Sequence, residues 1–263
     1  MSLAGRVLGV GLVGPGLAGW RESRAALAGE APYVPAATSI PAPEALPATE
    51  RRRAGKSVRL ALTAGLAACN EAGRAAKELA AVFTSSTGDG ENQHAICETL
   101  ASSDRDISPT RFHNSVHNAP AGYWGIATGA MAAADSHAAF DGSFAAGLVE
   151  ALGRLATEPA RAILLVAYDA PYPEPLKATR AIEDAFGLGL VLAGADSGEG
   201  LRLDAAFTRE APTPMADAGL EEVRRGIPAA RALPLLRLIA ARTSGRVVLE
   251  YLDDLGLAGE VRA

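Results

Sequence analysis

Apolar and polar positions change rhythm several times along this chain, with short branched-apolar runs alternating with stretches of helical period. The run "RVLGVGLV" at 6–13 predicts a buried strand, and "GPGLAGWRESRAALAGE" a turn into a short helix. "APYVPAATSIPAPEALPATE" is so rich in proline and alanine that it predicts a surface connection. Val58, Leu62, Leu66 and Cys69 then recur at helical spacing, predicting a helix closed by Gly73. "LAAVFTSSTGDG" predicts a strand entering a glycine loop, with a helix at "ENQHAICETLAS". Residues 111–129 predict a loop feeding a helix that packs through Ala121, Gly122 and Gly125. "RAILLVAYDAP" and "AFGLGLVLAGA" predict buried strands, followed by a proline-rich loop at 208–216, helical material at 217–242 and a tail beginning "RVVLEYL". Strands alternating with helices point to an α/β fold on a mixed, mainly parallel sheet.

Between these elements, "AAFDGSFAAGLVEAL" at 138–152 runs from small apolar residues through Asp-Gly into an amphipathic helix, the pattern of a strand-to-helix elbow. Such an elbow places its turning residue at the positive end of the helix dipole. A cysteine there would be activated as thiolate. Here Asp141 stands at the turn, where its carboxylate is expected to cap the helix by accepting the N–H of Ser143 or Phe144.

Composition narrows the functional classes. With 263 residues and 49% hydrophobic content the chain can bury one substantial core, and 1–263 reads as a single domain. A net charge of −5 argues against nucleic-acid binding, and "RRR" at 51–53 reads as a solvated helix face. Cys69 and Cys97 have neither metal-ligand spacing nor disulfide density, as expected in the cytoplasm. The apolar N-terminal stretch is too interrupted by glycine and proline for membrane insertion.

"GVGLVG" at 9–14 has the spacing of a dinucleotide loop, but Pro15 and Gly16 follow instead of a helix. His113 and His117 sit in loop-like sequence with no evident third ligand, so no metal and no cofactor are expected. Ser136 and His137 are neighbours on a strand and would face opposite ways.

The order of segments resembles the β-ketoacyl synthases, the condensing enzymes of fatty-acid and polyketide synthesis. "VLGVGLVGPGLAGW" resembles their first strand and loop, and "RRRAGKSVRLALTAGLAACNEAG" a helix that starts at basic residues. "VFTSSTGDGENQHAICETL" resembles the following strand, loop and helix; "SPTRFHNSVHNAPAGYWGIATG" resembles the segment ending in Asn-x-x-Ala-Gly. "AAFDGSFAAGLVEAL" falls where the family has its Thr-Ala-Cys elbow, and "AILLVAYDA" where a strand ends Gly-Gly-(Thr/Ser)-(Glu/Asp)-Ala.

The resemblance covers residues 6–195 and implies a thiolase-like layered fold whose second half is incomplete, with 196–263 as a shortened C-terminal region. It puts Asp141 in the seat of the catalytic cysteine. No cysteine follows Cys97, and no histidine follows His137 to supply the family's downstream imidazoles. The resemblance therefore implies a non-catalytic subunit similar to a chain length factor, as in aryl polyene and type II polyketide systems. Its partners would be a catalytic ketosynthase, in a heterodimer, and an acyl carrier protein.

By the same resemblance, residues 129–140 lie at the subunit interface, with Met131, Phe140 and Phe144 able to gate the partner's acyl tunnel. Two alternatives stay open. One is an independent acyl-thioester hydrolase or transferase using Asp141, Ser136 or Ser143 with His137 or His117. The other is a carrier-protein-binding module that uses Arg51–Arg53.

Overall fold

Strand and helix alternate through residue 194 as the apolar rhythm predicts, and the described residues build one mixed sheet of eight strands with a core on each face of its central strands. The computed structural model describes residues 2–159 and 161–263. Its strands are β1 (Ser2–Val13), β2 (Ala80–Thr84), β3 (Ala134–His137), β4 (Ala162–Asp169), β5 (Phe186–Gly194), β6 (Leu201–Thr208), β7 (Gly245–Leu252) and β8 (Leu255–Arg262). The helices are α1 (Trp20–Ala28), α2 (Ala48–Arg53), α3 (Lys56–Ala72), α4 (Gly90–Ala101), α5 (Pro109–His113), α6 (Ala119–Thr128), α7 (Ser143–Thr157), α8 (Leu176–Thr179), α9 (Ala218–Gly226) and α10 (Leu233–Ala241). The strand order is β3-β2-β4-β5-β1-β6-β8-β7.

The period-2 geometry of a strand sends successive side chains to opposite faces, and β4 uses both. Ile163, Leu165 and Ala167 enter the core beneath α7 and α10, whereas Leu164, Val166 and Tyr168 enter the core beneath α3 and α6. Burial on both faces explains why this strand reads as an unbroken apolar run. The helix read between Ser57 and Gly73 is α3, and Gly73 closes it in the left-handed conformation at φ 62°.

The sheet is mixed, as expected, but it is not mainly parallel. Only β2–β3 and β2–β4 run parallel, while the other five pairings are antiparallel. The cause lies in the connections. Residues 201–262 return as β6 and as the hairpin β7–β8, which add three antiparallel pairings, and β5 runs antiparallel to both β4 and β1 in the middle of the sheet. The C-terminal region thus extends the same sheet by three strands.

The glycines of "GVGLVG" have a packing role. A Cβ on Gly11 would lie 2.0 Å from the Ala64 carbonyl oxygen, and one on Gly9 would lie 2.6 Å from that of Ala68. They let α3 lie directly on β1. The helix at 119–128 also packs differently from its reading: Gly122 is exposed, and Tyr123 and Trp124 make the contact with the core. Large rings bury far more apolar area than glycines, so they set the docking face. Among the described residues no helix is long and apolar enough to cross a membrane.

Candidate functional site

The elbow forms where the sequence places it. β3 ends at His137, a 3-10 turn spans Phe140–Gly142, and α7 starts at Ser143. Phe140 holds φ 48°, a left-handed conformation uncommon for a bulky residue, so backbone strain is stored at the turn. Gly142 is fixed by space: a Cβ there would lie 1.9 Å from the Tyr251 carbonyl oxygen. Glycine lets β7 close over the elbow.

Asp141 does not cap α7, contrary to expectation. One carboxylate oxygen accepts from the Arg180 guanidinium, and the other accepts from Arg231 Nη2 at 2.9 Å. Ser143 organises the helix start instead, its Oγ accepting the Ala139 N–H at 3.0 Å and donating to the Phe140 carbonyl at 2.7 Å. Charge-assisted bonds to two guanidiniums outweigh a neutral amide cap, and they turn the carboxylate away from the helix.

The two arginines extend the site. Arg180 also lies over the Phe140 ring, 3.5 Å from its centroid. Arg231 pairs with Glu250, which accepts from Arg224 at 2.5 Å, and Arg224 forms a forked pair with Glu221 at 2.7 Å. Hydrogen bonds from Arg224 hold Glu221 down at about 2. Charges alternate from Arg180 to Glu221. Asp141 and Arg231 also line a cavity of about 650 Å³ bounded by the β7–β8 turn.

A second carboxylate lies at the end of β4. Asp169 is 2% exposed and accepts from the Ser86 N–H at 2.8 Å, the Ala229 N–H at 2.8 Å and Ser85 Oγ at 3.2 Å. Burial raises its carboxyl to about 7 against these three bonds. An aspartate ending an apolar run was a signal for it. Nothing in sequence separation pointed to Arg180 or Arg231, which lie 39 and 90 residues from Asp141.

Phe144 does not reach a gate position. It is 1% exposed in the core under α7, because the helix turns it inward. Met131 and Phe140 remain at the surface, 94% and 62% exposed. The Ser143 hydroxyl is committed to its two backbone bonds. Ser136 Oγ and His137 Nε2 are shielded and have no partner among the described residues.

His137 lies with Asp135 and Glu150 in a group whose ligand atoms are within 4.8 Å of one another, but Arg154 already pairs with both carboxylates. His113 packs edge-on against Tyr123, and neither it nor His117 belongs to such a group among the described residues. Burial pushes the Cys69 thiol up to about 12, and Cys97 is exposed on α4, so neither serves the elbow.

The family described as "Beta-ketoacyl synthase, N-terminal domain" matches residues 20–244. No curated protein sequence matches the chain. Among solved structures, a chain of the ketosynthase ApeO in complex with its chain length factor ApeC, from Xenorhabdus doucetiae, superposes with a TM-score of 0.75 at 23% identity. The match covers 98% of this chain and 99% of that one. The ishigamide ketosynthase/chain length factor gives 0.71 at 15% identity, covering 99% of both chains. The AntDE:AntF complex, a type II PKS acyl-carrier protein with its ketosynthase bound to the hexaketide, gives 0.73 at 11% identity and covers both chains fully. At these identities the likeness is one of fold.

Proposed function

This chain belongs to the β-ketoacyl synthase N-terminal domain family, and on that premise we propose that it is the non-catalytic member of a ketosynthase pair, acting as a chain length factor. The observation that carries the reading is Asp141. At the elbow where the resemblance seats a nucleophilic cysteine, this chain has a carboxylate held by Arg180 and Arg231. A carboxylate paired to two guanidiniums is a poor nucleophile toward a thioester. Condensation also needs donors for the developing enolate and oxyanion, and no histidine follows His137 to supply an imidazole.

The remaining features suit an architectural role. Among the described residues β3 is an edge strand bonded only to β2, which leaves its outer N–H and C=O groups for a partner strand. Met131 precedes it and Phe140 follows it, both exposed, and they are the side chains proposed to reach a partner's acyl tunnel. The partner is a catalytic ketosynthase, and an acyl carrier protein delivers the chain. An aryl-polyene-type acyl chain is the proposed product class.

Co-expression with a ketosynthase from the same organism, followed by size-exclusion chromatography and an elongation assay, tests the reading. The expected result is co-elution and elongation that needs both chains. Separate elution with elongation indifferent to this chain overturns it.

A further inference from the structure

A cavity of about 610 Å³ opens between the end of α2 and the starts of α3, α4 and α5, lined by none of the residues in the Asp141 network. Five cationic side chains face it: Arg52, Arg53, Lys56, Arg59 and Arg111. Two carboxylates share the lining, and both are engaged. Glu91 pairs with Lys56 at 2.9 Å, and Asp89 caps α4 by accepting the Asn92 N–H at 3.0 Å. Arg53 has a weak exposed pair with Glu50 at 3.3 Å, while Arg52 and Arg111 make no ion pair among the described residues. The cavity carries an excess of positive charge.

Its walls are also held in place. Asn114 Nδ2 donates to the Arg53 carbonyl and Asn92 Nδ2 to the Arg111 carbonyl, both at 2.8 Å, and each asparagine is 8% exposed. Tyr123 fixes Asn114 in turn by donating its hydroxyl hydrogen to Oδ1 at 3.1 Å. Two buried amides therefore set the backbones that carry Arg53 and Arg111 on facing walls. Arg59 is anchored to the Ile40 carbonyl, yet its Nε is shielded from water and has no partner among the described residues. A shielded guanidinium N–H without an acceptor costs free energy, so one carbonyl does not satisfy Arg59.

The 17-residue helix α3 starts at Lys56, just after Gly55, with no side-chain cap; its positive dipole end faces the same cavity, beside the Asp89 carboxylate that lies against Gly55. Unpaired guanidinium forks around a helix start match a tetrahedral oxyanion, which offers several acceptor oxygens at once.

We propose that this cavity is a binding site for a phosphorylated small molecule, whose phosphoryl group lies among Arg59, Arg111 and the start of α3. The site stands apart from the pairing proposed above, and either can fail alone. Calorimetric titration of the intact chain with sodium pyrophosphate, at ionic strength matched with sodium chloride, is the test.

One saturable site is expected. Arg111→Gln, an exposed change that leaves the fold intact, and Arg59→Gln should each weaken binding by about tenfold or more. Arg21→Gln, a surface arginine paired with Glu71 elsewhere, should leave binding unchanged. Absence of saturable heat, an equal loss in Arg21→Gln, or tight binding of polyglutamate where pyrophosphate fails would overturn the proposal.

Discussion

Two aspartates grip the same short stretch, the 3-10 segment Pro228–Ala232, from different sides and by different chemistry. Asp169, at the end of β4, accepts the Ala229 N–H in a fully buried setting with neutral donors only. Asp141, at the elbow, accepts the Arg231 guanidinium and shares its charge with Arg180, while about a third of its side chain meets solvent. The first is a latch whose strength depends on burial and geometry. The second is an ionic clamp that solvent and salt can weaken. Between them they tie the C-terminal third of the chain to the parallel strands.

The largest effect is expected at the elbow's tightest contact, which belongs to neither aspartate. Gly142→Ala would drive a methyl into the Tyr251 carbonyl and lift β7 from the turn, costing about 3 kcal/mol in urea denaturation. A cost under ~0.5 kcal/mol would mean that β7 is free to move away from Asp141.

Next comes the buried latch. Asp169→Asn puts an amide that faces N–H or O–H donors in place of the carboxyl, a loss of about 2 kcal/mol near pH 4 that shrinks toward neutral pH. The same variant should change the pH profile. Because burial raises Asp169 above its ordinary value to about 7, the folded state keeps its proton longer than the unfolded state. Its contribution is full below about pH 4 and is lost as pH rises toward 7. Thermal melts between those limits should show this decline in the parent chain and not in Asp169→Asn.

The ionic clamp should matter less for stability. Asp141→Asn leaves Arg231 with Glu250 but takes from Arg180 its one carboxylate among the described residues, and at this partly exposed site about 1 kcal/mol is expected. That loss should shrink in 1 M salt, where the screening length is about 3 Å, while the Asp169→Asn loss should not. Equal salt sensitivity of the two variants would erase the distinction between latch and clamp. The smallest effect is on activity: Asp141→Cys restores a thiol at the elbow but no imidazole donors, so condensation by the isolated chain should stay at background in a carrier-bound acyl assay.

What the sequence makes legible follows from how local each feature is. The buried strand β4, the helix α3 with its Gly73 closure and the elbow at Phe140–Gly142 are each set by residues within a few positions of one another. The direction of the sheet is not local. β6 has no β-branched apolar residue and β8 "LGLAGEVR" holds two glycines, so neither announces itself as a strand, and no local pattern shows that β5 runs antiparallel to both β4 and β1. The site divides the same way. Asp141 is visible as the odd residue at an elbow, but its partners, Arg180 just past α8 and Arg231 in the 3-10 segment, come from distant stretches that only the fold brings there. The expected cap at Asp141 gave way because two guanidiniums outcompete a backbone amide. Phe144 went to the core because α7 buries that face.

Intact-mass spectrometry of this chain and a catalytic ketosynthase, mixed with an acyl-loaded carrier protein and quenched during turnover, tests the central claim most directly. A mass increase of one acyl group on the ketosynthase alone, with the mass of this chain unchanged, is the predicted result. An acyl adduct on this chain, or elongated product formed by it without the ketosynthase, would contradict the claim that the clamp at Asp141 replaces chemistry with architecture.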